Sequence, residues 1–338
     1  MKLNRYILTI VCVICSHLIY GNVLNASPVS NFITRIQSIV IPSYPGAYNP
    51  TFIENENGYL MAFRHDKYKL PMSTYLTEYY QHISLVQLNL KFKPISKPIL
   101  CKELGNYAYD PRLIRVNNVI YMTFTSPLTG AKHSCLNSRI CLTQIYQIGN
   151  RIKIDFPMPL NVKFQNIWEK NWIPFDYQNN LLLTYSISPH FVLNPSLYDG
   201  FCPIYSCSNP TIQWNYGTIR GGTPAVLVDG EYLAIFHSAV NDPVTKRYTY
   251  YLGAYTFEAE PPFRITKISA EPFSHPDFYT TPPCPLTTAR VLFASGLVVR
   301  DNSIFVCYGE NDCAIKVMEI NKNALYESLV HVHNQTIQ

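Results

Sequence analysis

Asn49, Asp110, Glu169-Lys170-Asn171 and Arg220 each stand at the head of a short run of Val, Ile, Leu and Phe. Arg64, His237, Tyr308 and Asp312 stand at the end of the run that follows. Carboxyl groups can give or take a proton, and cations with an imidazole can hold an anion. In a chain only 14% charged, their recurrence at equivalent places implies that they converge on one binding funnel. Taken singly, each could instead cap a turn or satisfy a sheet edge. Other catalytic patterns are missing: the sequence has no GxSxG, HExxH, GxxxxGK[ST] or GxGxxG, so serine-hydrolase, zincin and nucleotide-loop chemistry have no foothold. His331-Val332-His333 would place two histidines on one face of a strand, which at a chain end reads as a surface accident.

The elements that must position these residues are strands. Tyr (26) and Pro (25) are abundant and Gly (14) is scarce among 338 residues, a balance that suits half-buried pleated surfaces joined by many turns. No long stretch carries a capped 3.6-residue period; a short turn around residues 324–329 is the best helical candidate. Instead, five units repeat a strand, a tight Asn/Asp/Gly turn and a more apolar strand. Their turns fall near 58, 118, 180, 230 and 302, a period of roughly 60 residues, which matches a four-stranded propeller blade with its loops. The expected fold is all-β, a five-bladed β-propeller over residues 27–338, with a β-sandwich or two small β domains as the alternative. Inner strands of blades line a central funnel, where polar residues distant in sequence can meet.

The first 26 residues read separately. Lys2 and Arg5 precede an apolar run at 6–20, and Gly21 and Ala26 offer small residues for cleavage, the pattern of a signal peptide; an uncleaved anchor is the alternative. The secretory-pathway lumen or the exterior is therefore the expected location, with no membrane contact beyond this segment. Eight cysteines remain after it, including the close couples 135/141, 202/207 and 307/313. In an exported chain an even count suggests disulfides, although spacing does not fix the pairing. The couples 135/141 and 307/313 flank Arg139 and Asp312, where bridges would stiffen the loops presenting them. Zinc is disfavoured, because these cysteines lack CxxC spacing. Sequons stand at Asn25 and Asn334. The net charge of +5 is modest and unclustered, which argues against nucleic acid.

Several segments together resemble successive motifs of glycoside hydrolase family 130. They are Asn49-Pro50 with Arg64, Asp110-Pro111-Arg112, Arg139-Ile140-Cys141-Leu142, and Glu169-Lys170-Asn171 leading to Pro174-Phe175. Gly221-Gly222-Thr223-Pro224-Ala225, Ile235-Phe236-His237, Tyr250 to Ala254, residues 291–296 and Tyr308 to Asp312 complete the series, in the family's order. The resemblance implies a five-bladed propeller acting on β-mannosides, by inverting phosphorolysis or by hydrolysis. A secretory-pathway mannosyltransferase sharing the architecture, or a propeller that binds glycans without catalysis, are the other readings.

By the same resemblance Asp110 is the general acid, its proton reaching the leaving oxygen through a mannosyl hydroxyl. Asn49, Arg64, Lys170 and Asp312 bind substrate; amide, cation and carboxylate suit a polyol whose hydroxyls both donate and accept. Arg139, His237 and Tyr250, with Lys170, fall where phosphate is held. No cofactor is implied beyond inorganic phosphate as co-substrate, and no metal. Arg112 braces the acid or a blade. A hydrolase would need a carboxylate base opposite the acid, and Glu169 and Glu310 are the nearby candidates. Three features depart from the family: Tyr109 stands where Glu commonly precedes the Asp-Pro-Arg motif, Trp172-Ile173 replaces smaller residues, and Tyr308-Gly309-Glu310-Asn311 precedes Asp312.

Overall fold

The computed structural model describes residues 29–68, 79–127, 137–148, 151–164, 166–282 and 289–335. The leader, Asn25, Cys135 and Cys284 lie outside the described residues.

Five antiparallel sheets follow one another along the chain. Blade 1 is built from Tyr48–Asn55, Gly58–Tyr68, Tyr79–Asn89 and Ile99–Leu100. Blade 2 comprises Tyr109–Val116, Val119–Pro127, Ser138–Ile148 and Met158–Pro159, with Arg151–Ile154 added to its third strand. Blade 3 uses Ile173–Tyr177, Asn180–Ile187, His190–Leu193 and Ile204–Thr211. Blade 4 has a broken inner strand, Arg220–Gly221 and Val226–Val228, then Glu231–Asn241, Tyr248–Glu258 and Ile265–Ser269. Blade 5 comprises Leu292–Arg300, Ser303–Glu310 and Ala314–Asn321, and takes its outer strand from the other end of the chain, Ile33–Ile39. That last pairing ties the ring shut. Both the five-bladed propeller and its all-β class are as the sequence implies.

The inner hairpins form where Asn, Asp and Gly accept left-handed backbone. Each links two strands through two residues: Asn55 pairs Gly58, Val116 pairs Val119, Tyr177 pairs Asn180, Val228 pairs Glu231 and Arg300 pairs Ser303. Asn117, Asn118, Gln178, Asn179, Asp229, Gly230 and Asp301 have positive φ there. Between the blades lie five apolar clusters, one at each seam of the ring. Trp172, for example, is buried between blades 2 and 3 beside Leu160, Leu183 and Leu193. Burying one such side chain contributes on the order of 1.5–3 kcal/mol, and each blade supplies half of two seams.

After blade 5 the helix Lys322–Ser328, capped by Asn321 through Ala324 N at 3.0 Å, turns the chain back. Leu329–His331 then joins the outer edge of blade 4 and His333–Gln335 that of blade 3. His331 and His333 therefore lie on two strands, not on one face of a single strand. The cysteine couples differ from expectation. Cys202 and Cys207 are free thiols, because Cys202 is drawn into the seam of blades 2 and 3, where its Sγ donates to Gly200 O. Cys307 is a free thiol in the seam of blades 5 and 1, its Sγ donating to Pro50 O at 3.1 Å and so turned away from a bridge with Cys313. Cys141 is also a buried free thiol.

Candidate active site

Two β-bulges create the centre of the site. In blade 1, Tyr48 pairs with Arg64 and Thr51 with Ala62, so Asn49 and Pro50 oppose one residue. In blade 2, Tyr109 pairs with Thr125 and Arg112 with Thr123, so Asp110 and Pro111 do the same. Asn49 (φ 45°) and Asp110 (φ 55°) are left-handed, and the prolines that follow have no N–H to leave unpaired. The bulges re-aim both side chains into the funnel. Asn49 Nδ2 donates to Asp110 Oδ1 at 2.8 Å, and Arg64 Nη1 donates to the same oxygen at 3.3 Å. Gly309 makes room: a Cβ there would stand 2.2 Å from Asn49 Oδ1.

Arg112 braces the centre from below. It is 1% exposed; its Nε donates to Gly222 O (2.6 Å), Nη1 to Asp110 O (3.3 Å), and Nη2 to Asn171 Oδ1 and Gly221 O (both 3.3 Å). One guanidinium thus bolts blades 2, 3 and 4 together. Burial lowers its pKa to about 10, with Asp110 opposing, so it remains a cation at neutral pH. Gly221 permits the approach, since a Cβ would lie 2.0 Å from Asn171 O.

Near Asp110 gather groups suited to an anion. Burial and the Arg220 cation push the Lys170 pKa down while Asp110 opposes them; the residue remains solvent-exposed. His237, 1% exposed, sits across the ladder from Arg220. Burial and the Arg112, Arg220 and Lys170 cations drive its pKa far below the ordinary value, against a hydrogen bond with the Gly221 backbone. The ring is neutral, and its buried Nδ1 has no partner among the described residues. Tyr250 stacks on it with centroids 6.0 Å apart. Its pKa is raised by burial, lowered by Arg220, and raised by Asp312 and Asp110. Arg220 is the member of this cluster to which no anion-binding role falls from sequence; its place beside His237 follows from the broken inner strand of blade 4.

Asp312, left-handed at φ 53°, also acts on Asp110 and Tyr250, its own pKa raised to about 6 by burial, by Asp110 and by Asp66 against the Arg64 cation. Arg64 is framed by Tyr48 and Tyr109, whose ring centroids lie 4.6 and 5.3 Å from its guanidinium carbon, and is paired with Asp66. Asp66 and Tyr48 carry no catalytic signature in sequence, because only the fold turns them towards Asp110.

The structure withdraws both glutamates as bases. Glu169 is 2% exposed; its oxygens accept from Asn166 N (2.6 Å), Tyr185 OH (3.2 Å) and Trp172 Nε1 (3.2 Å). Glu310 is fully buried and accepts from Tyr279 N (2.8 Å) and Thr281 N (2.7 Å), with Lys316 Nζ at 2.7 Å. Both are consumed in holding loops. Arg139 is likewise engaged: its Nη1 donates to Ser138 O, Asn166 O and Ile167 O, which fixes the loop carrying Lys170.

A family model described as beta-1,4-mannooligosaccharide phosphorylase matches residues 23–330. A 1,2-beta-oligomannan phosphorylase of Thermoanaerobacter is 23% identical over 247 residues, 68% of this chain and 74% of that protein. The fold is that of a β-1,2-mannobiose phosphorylase from Listeria innocua, solved with β-1,2-mannobiose (TM-score 0.59, 13% identity, 90% and 95% of the two chains covered). It is equally that of MPT-4, a mannose phosphorylase from Leishmania mexicana solved with phosphate (TM-score 0.62, 13% identity, 90% and 93% covered). With a match over almost its whole length, the chain belongs to glycoside hydrolase family 130, a family of β-mannoside phosphorylases and hydrolases.

Proposed function

We propose that the protein cleaves β-mannosides by inverting phosphorolysis, with Asp110 as the general acid. Asn49, Arg64 and Asp312 grip the mannosyl unit. Lys170, Arg220, His237 and Tyr250 hold phosphate, and Arg139 acts through the loop that presents Lys170. A phosphate oxygen attacks the anomeric carbon as the glycosidic bond breaks, and the leaving oxygen takes the Asp110 proton through a mannosyl hydroxyl. The products are a mannose 1-phosphate of inverted configuration and the shortened saccharide.

One observation carries the choice of phosphate over water. Lys170, Arg220 and Arg112 act electrostatically on one another or on a neutral His237 close to Asp110, while the two glutamates that could activate water are saturated by hydrogen bonds. A phosphate dianion needs several donors to be desolvated and aligned. Incubation with β-1,2- and β-1,4-mannobiose, with and without phosphate, tests this: mannose 1-phosphate forms only with phosphate. The apolar leader further supports export, which N-terminal sequencing of the secreted product checks.

A further inference from the structure

Arg64 and Asp66 lie two residues apart on a strand, so their side chains leave the sheet on the same face. Arg64 Nε donates to Asp66 Oδ1 at 3.1 Å and Nη2 to Oδ2 at 3.2 Å, a two-pronged pair. The Tyr48 hydroxyl donates to the same Oδ2. The Asp66 side chain is 7% exposed. Held by this fork and against the rings of Tyr48 and Tyr109, the guanidinium extends Nη1 to Asp110 Oδ1. Asn49 donates to that same oxygen. With both donors on Oδ1, Oδ2 is left to carry the proton.

Asp110 is also faced by Arg112, Lys170, Asp312 and Tyr250. Asp66 is faced by Asp312 and, from its own and the adjacent strand, by His65 and His82.

We infer that Asp66, fixed by Tyr48, is a positioning residue for the reaction: it locks Arg64 so that Asp110 presents Oδ2 to substrate. This rests on Asp110 being the acid. The experiment uses β-mannobiose with phosphate and compares D66N, D66E and Y48F with wild type, folding being checked by circular dichroism. D66N lowers kcat about 10²-fold, as a misplaced catalytic group does, with KM little changed. D66E restores kcat, and Y48F lowers it by less, again with KM little changed. Folded D66N with wild-type kcat overturns the inference; if D66N does not fold, folded Y48F with wild-type kcat overturns it. Full turnover by D110N would instead remove the acid on which it stands, whatever D66N shows.

Discussion

Asn49 and Asp110 head the inner strands of adjacent blades and meet at 2.8 Å, each from a left-handed bulge residue followed by proline. The repeated bulge is what turns two blade edges into one site. Asn49 Oδ1 is buried against Gly309 and has no hydrogen-bond partner among the described residues.

N49A removes the donor to Asp110 and places alanine at positive φ, which costs about 1–2 kcal/mol of backbone energy. The expected result is a kcat loss of about 10²-fold from the misaligned acid. Thermal unfolding, with steady-state kinetics on the same preparation, separates the two effects. N49D would keep the backbone but put a second carboxylate against Asp110, and it too is expected to be inactive at neutral pH.

Glu310 and Lys316 form a buried pair that holds residues 277–281: Lys316 Nζ also donates to Asp277 O (3.0 Å) and Thr280 Oγ1 (2.7 Å). K316M leaves a buried carboxylate uncompensated and should destabilise by about 3–5 kcal/mol. Denaturant unfolding measures it. The folded fraction should retain the wild-type pH profile, since Glu310 carries no proton in the reaction.

Three buried histidines make the fold acid-sensitive. Burial lowers His65 to about 4, with His82 adding to the shift, and lowers His190 to about 4; His237 lies far below its ordinary value. In each case the native state binds fewer protons than the unfolded chain below pH 6.5. Their contribution is therefore complete above about pH 6.5 and is lost as pH falls towards 4, by about 3 kcal/mol each for His65 and His190. A Tm that falls steadily across that window is expected, and H190Q should flatten the slope.

Asp312 works with the opposite sign. Its pKa is raised from 3.8 to about 6, so the native state holds a proton that the unfolded chain has released between those values. Stability drops as pH rises through the window and stays lower above it. D312N should gain about 2–3 kcal/mol at pH 7 while losing activity, read as a raised denaturation midpoint in a protein that no longer turns over.

The five hairpins were legible in sequence because Asn, Asp and Gly declare left-handed turns locally. The strand that closes the ring was not: Ile33–Ile39 looks like any short β run, and only blade 5's unpaired edge gives it a place. Asp110 and Asn49 stood out through the prolines that follow them. Glu169 and Glu310 looked equally chemical, yet their roles depend on loop backbone N–H groups that converge only after folding. Asp66 was hidden for the converse reason, since a carboxylate two residues after an arginine is an ordinary strand pattern until Tyr48 and Tyr109 enclose the pair. The couples 202/207 and 307/313 misled because Cys202 and Cys307 are drawn into blade seams, where each thiol donates to a backbone carbonyl.

The most direct measurement is the product of purified wild type and D110N on β-1,2- and β-1,4-mannobiose, with and without inorganic phosphate, read by mass. Wild type is expected to release mannose 1-phosphate only when phosphate is present, and D110N to release none. Free mannose formed at the same rate without phosphate, or full turnover by folded D110N, would contradict phosphorolysis at Asp110.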